Sequence, residues 1–284
     1  MLIPLVLYYI VWCYLPMYGI QIAFKDFSPR RGIIGSEWVG MKHFISFFTG
    51  PFAWRVIRNT FLISFYNLIF GFPIPIIFAI FLNEIRNKLF KRSIQTVSYM
   101  PYFISIVVVC GILLDFSAST GVFGEIQRMM GREPVNLLGD PNYFRTIYVS
   151  SEIWQWMGWN SIIYLAALSG VNPELFEAAK IDGAGRFKQI WHVSLPGILP
   201  TIAILLVLRM GTMMSVGFHK IILLYNGLTY ETADVISSFV FRRGLVDFDL
   251  GFATAVGLFN SVVNLILVII ANRLSNKLAD TGLW

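Results

Sequence analysis

Charge is scarce in this chain. Of its 284 residues only 13% are Asp, Glu, Lys or Arg, against 56% that are hydrophobic, and mean hydropathy is +0.68. A soluble domain carries about 25% charged residues. The composition therefore excludes a water-solvated surface over most of the chain and points to lipid as its solvent. Cysteine is nearly absent as well. Cys13 and Cys110 both sit in apolar stretches, which argues against a disulfide framework or a thiolate metal site. The three histidines, His43, His192 and His219, are far apart and match no ligand spacing. A net charge of +6 comes with no basic run interleaved with aromatics, so nucleic acid is not an expected partner. Ser/Gly linkers, low-complexity tracts, soluble domains and internal repeats are all lacking. An intramembrane enzyme would need clustered nucleophile, base or metal ligands, and the scattered His, Cys and Asp do not supply them.

What the chain has is a series of long apolar runs, each able to cross a hydrocarbon core that needs ~20 residues. Residues 1–24 carry no charge. They do not resemble a cleavable signal peptide, because no basic region precedes them and no small-residue cleavage site follows. In the loop 25–58, Trp38 to Phe48 reads as an interfacial helix with Trp38 at headgroup level. A second run, 59–82, contains Gly71, Pro73 and Pro75, which predicts a kink that neighbouring groups must satisfy. The polar loop 84–92 bears Arg86, Lys88, Lys91 and Arg92. The third run is 93–114, with Pro101 near its start. Residues 115–145 read as an extramembrane loop with one short helix. The fourth run, about 148–171, carries Glu152, Trp154, Trp156, Trp159 and Asn160; the fifth, about 199–225, holds Arg209 and His219; the sixth, 250–272, holds Asn260 and Asn264. The expectation is an all-α membrane protein with six transmembrane helices in a single domain, 1–284, whose core bundle spans about 55–275. Both termini then share a side with loops 84–92 and 171–199. Basic residues are denser on that side without being more numerous, so the positive-inside rule favours it as cytoplasmic.

One polar stretch, 177–200, leaves the apolar phase and returns to it. Pro173, Glu174 and Glu177 suit a first helical turn. Leu175, Phe176, Ala178 and Ala179 give that short helix an apolar edge. Asp182-Gly183-Ala184-Gly185 is turn chemistry. A second short helix is expected from about Arg186 to His192, with Pro196 and Pro200 limiting it. Phe187, Ile190 and Trp191 share one face at helical spacing. They form either a ridge for a partner's groove or a packing face against the chain's own helices.

The order Glu177-Ala178-Ala179, three residues, Gly183, nine residues, Val193, one residue, Leu195-Pro196 resembles the EAA signature of permease subunits in binding-protein-dependent ABC importers. Val193 stands where isoleucine is usual; Asp182 and Ala184 on either side of Gly183 also fit. The runs 14–19 (YLPMYG), 92–105 (RSIQTVSYMPYFIS) and 220–244 are similar to permeases for complex oligosaccharides and polysaccharides, a group that includes aldouronate, rhamnogalacturonan-fragment and alginate systems. The resemblance covers nearly the whole chain. It implies a type I ABC importer permease fold with a cytoplasmic coupling helix between helices 4 and 5, in the loop 171–200. It implies a second homologous permease, an ATPase homodimer, an extracytoplasmic sugar-binding protein and an oligo- or polysaccharide substrate. ATP and Mg would sit on the ATPase, with no cofactor, metal or catalysis on this chain. The chain would be multi-pass in the cell membrane with cytoplasmic termini. Glu177, Ala178, Ala179, Asp182, Gly183, Ala184, Phe187, Ile190, Leu195 and Pro196 would carry the coupling. Glu177 would bond a basic group of the ATPase or cap the second helix, and Gly183 would allow the bend.

Candidate substrate-path residues follow from spacing and polarity. Glu152, Trp156 and Trp159/Asn160 share a helix face, and aromatic rings beside polar groups suit sugar rings. Trp154 reads as an interfacial anchor. Asn260 and Asn264 either line the path or hydrogen-bond neighbouring helices. Arg209 lies about 15 Å into its run at 1.5 Å per residue, where a charge costs ~2.5–3.5 kcal/mol or more; it should face a cavity or a partner. Met210, Met213 and Met214 read as packing residues. A secondary transporter using Arg209 or Glu152 in ion coupling is the alternative. It would be expected to show a repeat, and it gives the docking stretch no role.

Overall fold

The structure, a computed structural model, describes residues 2–279. It is helical apart from a two-stranded antiparallel ribbon, β1 (Lys25–Asp26) with β2 (Glu37–Trp38). Five helical segments are long and apolar enough to cross a bilayer. They are α1 (Ile3–Phe24), α2 (Ala53–Glu84), the bent α3 (Ile106–Met129), then, beyond α4, α5 (Arg186–Gly211) and α6 (Leu250–Lys277, running on helically to Ala279). The helix α4 (Pro141–Ser169) is 29 residues long. It is held below the apolarity of the others by Arg145, Glu152, Gln155, Asn160 and its Trp and Tyr residues. Packing joins these into one body. The Pro73–Glu84 half of α2 lies along α4, and the Leu195–Gly211 part of α5 lies along α6, which also receives the Leu15–Phe24 end of α1. Most of α1 is exposed, from Leu2 to Leu15, as a helix facing lipid or another chain would be.

The prolines act differently from the sequence expectation. In α2 a five-residue π turn, Asn67–Gly71, precedes Pro73, in the stretch where the prolines predict a kink. Pro196 and Pro200 do not end the second short helix. A π turn at Ile190–Ser194 carries it directly into the Leu195–Gly211 helix. The wider turn places Pro196 at the start of a fresh α-helical stretch, where its missing N–H costs little. The expected third span also divides. Lys88–Tyr99 forms one helix, capped by Asn87 accepting from the Leu89 and Phe90 amides, and Ile106–Ser117 forms another, with Pro101 and the extended Ile104 between them. The expected fifth span breaks as well. It stops at Gly211, runs irregularly through 212–217, and resumes as Phe218–Leu224. Trp38 stands in β2, and the interfacial helix is shorter than expected, Lys42–Thr49.

Three buried clusters hold the body. Ile76, Ala79, Ile80, Tyr164, Leu168 and Ile198 pack at one end. Ile63, Cys110, Phe144, Tyr148, Val149, Val216 and Ile221 pack in the middle. Phe47, Val56, Met214, Phe239, Phe252 and Val256 join α2 to α6. The helix Lys88–Tyr99 meets α4 at Gly158, where an added Cβ would lie 2.1 Å from the Ser98 carbonyl oxygen. That contact is backbone against backbone and cannot yield. Gly158→Leu should therefore destabilise the purified chain by at least about 2 kcal/mol, seen as a lowered thermal unfolding midpoint in detergent; an unchanged midpoint would show that the two helices can separate freely.

Candidate functional site

The break at 212–217 opens a cavity of about 440 Å³ between α2, α4 and α5. Its polar lining is Ser64 and Asn67 from α2, Tyr148, Glu152, Trp156, Asn160 and Tyr164 from α4, and Arg209, Thr212 and Ser215 from the end of α5 and the break. Irregular backbone inside an apolar phase needs hydrogen-bond partners, and α6 supplies one. The Asn264 side-chain oxygen accepts from the Met214 amide at 2.8 Å, and its amide nitrogen donates to Ser215 Oγ at 3.2 Å. Asn264 thus braces the wall from behind and does not line the space. Asn260 lies outside the lining too, and its side-chain oxygen is buried without a hydrogen-bond partner among the described residues.

Of the expected path residues, Glu152, Trp156, Asn160 and Arg209 converge on this cavity. Trp159 does not line it. Its ring stacks on Tyr102 at 4.2 Å with an interplanar angle of 1°, one residue of helical rotation away from Asn160. Tyr102 also meets Trp156 edge-on at 5.1 Å, so one wall of the cavity is backed by aromatic packing. Trp154 is exposed, Met213 and Met214 are buried, and Met214 packs among the α2–α6 aromatics.

Sequence reasoning missed Lys220. Its side chain is 2% exposed and its Nζ lies 2.9 Å from Glu152 Oε1, with Glu152 itself 20% exposed. The ammonium also sits 5.3 Å from the centre of the Tyr148 ring. The signal was legible: Lys220 is the one lysine or arginine in the run 218–225, and a charged residue inside such a run demands a partner. Asn67, Ser64 and Tyr148 were missed because a lone polar residue in an apolar helix does not announce which way it faces.

At one end of the bundle the polar stretch folds as two short helices. The first, Pro173–Ile181, is capped by Asn172, whose side-chain oxygen accepts from the Glu174 amide at 3.0 Å. It closes with the Gly183 amide donating to Lys180 at 3.0 Å and the Ala184 amide donating to Ala179 at 2.8 Å, the Schellman pattern with glycine at the left-handed position. Gly183 has φ +74°, and a Cβ added there would meet nothing within 4 Å, so its requirement is one of backbone conformation alone. The N-cap of the second helix, Gly185, makes no side-chain cap bond, and among the described residues no hydrogen bond joins Glu177 to that helix. The outward ridge is also narrower than its spacing suggested. Phe187 is 78% exposed, Trp191 61% and Ile181 86%. Ile190 and Leu195 instead pack partly buried against the Ile76–Tyr164–Ile198 cluster. Glu177, Ala178, Asp182 and Pro196 are exposed, and Ala179 and Ala184 are half-buried.

At the opposite end a buried carboxylate ties three segments together. Asp234, fully buried, accepts from Arg242 at 2.7 Å, Arg55 at 3.2 Å and Ser238 at 2.8 Å. Asn59 donates to the Asp234 and Glu231 carbonyls at 3.0 and 2.9 Å, and Arg145 donates to Asn59 at 2.8 Å. Burial would lower the Arg242 pKa, but its bonds to Asp234 and Tyr225 hold it above the ordinary guanidinium range. The starts of α2 and α4 are thereby fixed to the segment 225–242. Among the described residues no group of three His, Cys, Asp or Glu could hold a metal ion.

Comparison with known proteins accords with this arrangement. The family described as "Binding-protein-dependent transport system inner membrane component" matches residues 71–280. The Polygalacturonan/rhamnogalacturonan transport system permease protein YteP of Bacillus subtilis (strain 168) is 42% identical over 100% of this chain and 89% of its own. Protein LplB of the same organism is 42% identical over 100% of this chain and 90% of its own. Among solved structures, a chain of a bacterial ABC transporter involved in the import of the acidic polysaccharide alginate superposes with a TM-score of 0.91 at 44% identity, covering 98% of this chain and 94% of that one. A chain of a bacterial alginate ABC transporter in complex with alginate pentasaccharide-bound periplasmic protein gives a TM-score of 0.92 at 43% identity, covering 100% and 95%.

The carboxylate clamp makes a direct prediction. Asp234→Asn removes the charge that two guanidiniums share and leaves them facing each other, which should cost about 3–5 kcal/mol. Thermal unfolding of the purified protein reads that loss, and an unshifted transition would show that the clamp carries no stability.

Proposed function

The chain belongs to the family of inner membrane components of binding-protein-dependent transport systems, and from that premise we propose that it forms half of the path by which an ATP-driven importer moves acidic oligo- or polysaccharide. The permease role itself follows from the family and from relatives that match over the whole chain. The observation that carries the substrate reading is the cavity. It combines ring-faced and hydroxyl-bonding side chains, Trp156, Asn160, Asn67 and Ser64, with a guanidinium, Arg209, that forms no ion pair among the described residues. Sugar rings offer apolar faces and hydroxyl rims to the first set. A uronate carboxylate offers the second a charge-assisted, bidentate partner. The names of the relatives, for polygalacturonan/rhamnogalacturonan and for alginate, support the same class.

On this reading α4 crosses the bilayer as well, making six crossings. The chain is a single permease domain, and both termini and the loop 171–200 face the cytoplasm. An ATPase dimer holding ATP and Mg grips the helix pair there. A second permease completes the path, and an extracytoplasmic binding protein delivers the saccharide. The exposed Phe187, Trp191 and Ile181 fill a groove of the ATPase, with Glu177 and Asp182 at its polar margin. The half-buried Ile190 and Leu195 pass the motion to α2 and α4. Close packing makes such a contact stiff, so rigid movement of the ATPases becomes reorientation of the bundle.

The test is ATP-dependent uptake by the assembled importer in proteoliposomes. Gly183→Val forces a β-branched residue into the left-handed region, at a cost of roughly 1–2 kcal/mol, and Phe187→Asp removes the outward ridge. Both should abolish uptake while the complex still assembles; undiminished uptake in both would remove the coupling role. Arg209→Met should cut uptake of a trigalacturonate at least tenfold with the permease pair intact, whereas dissociation of the pair would make Arg209 a structural residue.

A further inference from the structure

Lys220 has no place in the function as stated. It does not line the cavity, it is almost fully buried, and its charge is spent on Glu152. A buried ion pair is weak evidence for stability, since apolar replacements often serve as well. Its position suggests another reason for it. Two charged residues line the cavity, Glu152 and Arg209. Without Lys220 they would sum to zero, and a carboxylate entering would meet repulsion from Glu152 close to the attraction of Arg209. With Lys220 bonded at 2.9 Å, Glu152 is neutralised from behind, and the guanidinium acts alone on whatever enters.

We propose that Lys220 sets the charge of the translocation cavity: held against Glu152 from outside the lining, it gives the space a net positive charge that admits carboxylate-bearing saccharides and disfavours neutral ones. This rests on the cavity being the path, and it makes Lys220 a specificity-positioning residue that never touches the substrate. Glu152 has its own part in the arrangement. It anchors the short helix Phe218–Leu224, which carries Lys220, to α4 across the break at 212–217. Replacing both partners by uncharged residues should therefore preserve the electrostatic outcome, and replacing either alone should shift it in opposite directions.

The charge can be measured without transport. In the assembled importer with Cys13→Ser and Cys110→Ala, a single thiol is introduced by Asn160→Cys, at a lining position. Its reaction rates with the anionic sulfonatoethyl and the cationic trimethylammonioethyl methanethiosulfonates are compared; each attack forms a mixed disulfide and expels methanesulfinate. The anion-to-cation rate ratio should fall about tenfold in Lys220→Met, the effect of one unit charge removed within ~10 Å at intermediate dielectric. It should rise about tenfold in Glu152→Gln, and it should return to within about threefold of the starting value in the double variant. An unchanged ratio in either single variant, or a double variant that stays shifted, overturns the proposal. Glu152→Gln keeps the test decisive should Lys220→Met fail to assemble. Uptake of trigalacturonate against its carboxyl-reduced trisaccharide is scored in parallel. Shifted ratios with no acidic uptake in the parent would remove the substrate reading and leave the charge assignment standing; preserved acidic preference in Lys220→Met would remove the role of Lys220 in specificity.

Discussion

Backbone amides freed inside an apolar phase have no water to turn to, and the break at 212–217 frees several at once. Turn bonds take up the amides of Thr212, Met213 and Ser215, and the carboxamide of Asn264 on the neighbouring helix accepts from the Met214 amide and donates to Ser215 Oγ. Much else depends on it. The break is what allows Thr212, Ser215 and Gly217 to face a space instead of a helix interior. It also lets Phe218–Leu224 set off in a new direction, bringing Lys220 behind Glu152. A continuous helix through these residues would close the cavity and strand the lysine in apolar surroundings.

The two ends of the bundle are built on different physics. At the end that carries the helix pair 173–192, backbone geometry dominates: a capped helix, a glycine in the left-handed region and a π turn set the angle of the pair, and exposed apolar rings are left over. At the other end, charge dominates: one enclosed carboxylate is shared by guanidiniums from two segments, with Asn59 linking a third. The cavity lies between.

Much of this is legible in the sequence, and the gaps have physical causes. Composition and run length point to a membrane bundle, and the EAA spacing marks the short helix pair with its bend at Gly183. Proline is the misleading signal. Pro196 and Pro200 look like stops, but a π turn changes what a proline needs, and no residue pattern signals one. Arg209 falls in a cavity because its cost inside lipid leaves few other choices. Trp159 and Asn160 cannot be separated by periodicity, since adjacent helical residues differ by about 100°, and only packing on Tyr102 decides between them. Asn264 shows as a polar residue facing something, and whether that is substrate or backbone depends on a break that apolar residues conceal.

The π turns leave a mark of a different kind. A π turn is a helix with one residue more than its span requires, and two of those in this chain, Asn67–Gly71 and Ile190–Ser194, each fall just ahead of a proline pair. Each behaves as a tolerated insertion. Deleting one residue there would close the turn to ordinary α geometry and leave everything beyond it facing as before, with Pro73 and Pro75 in one case and Leu195 in the other keeping their neighbours. A chain shorter by one residue at either turn would present equivalent side chains to the same neighbours, each under a number one lower.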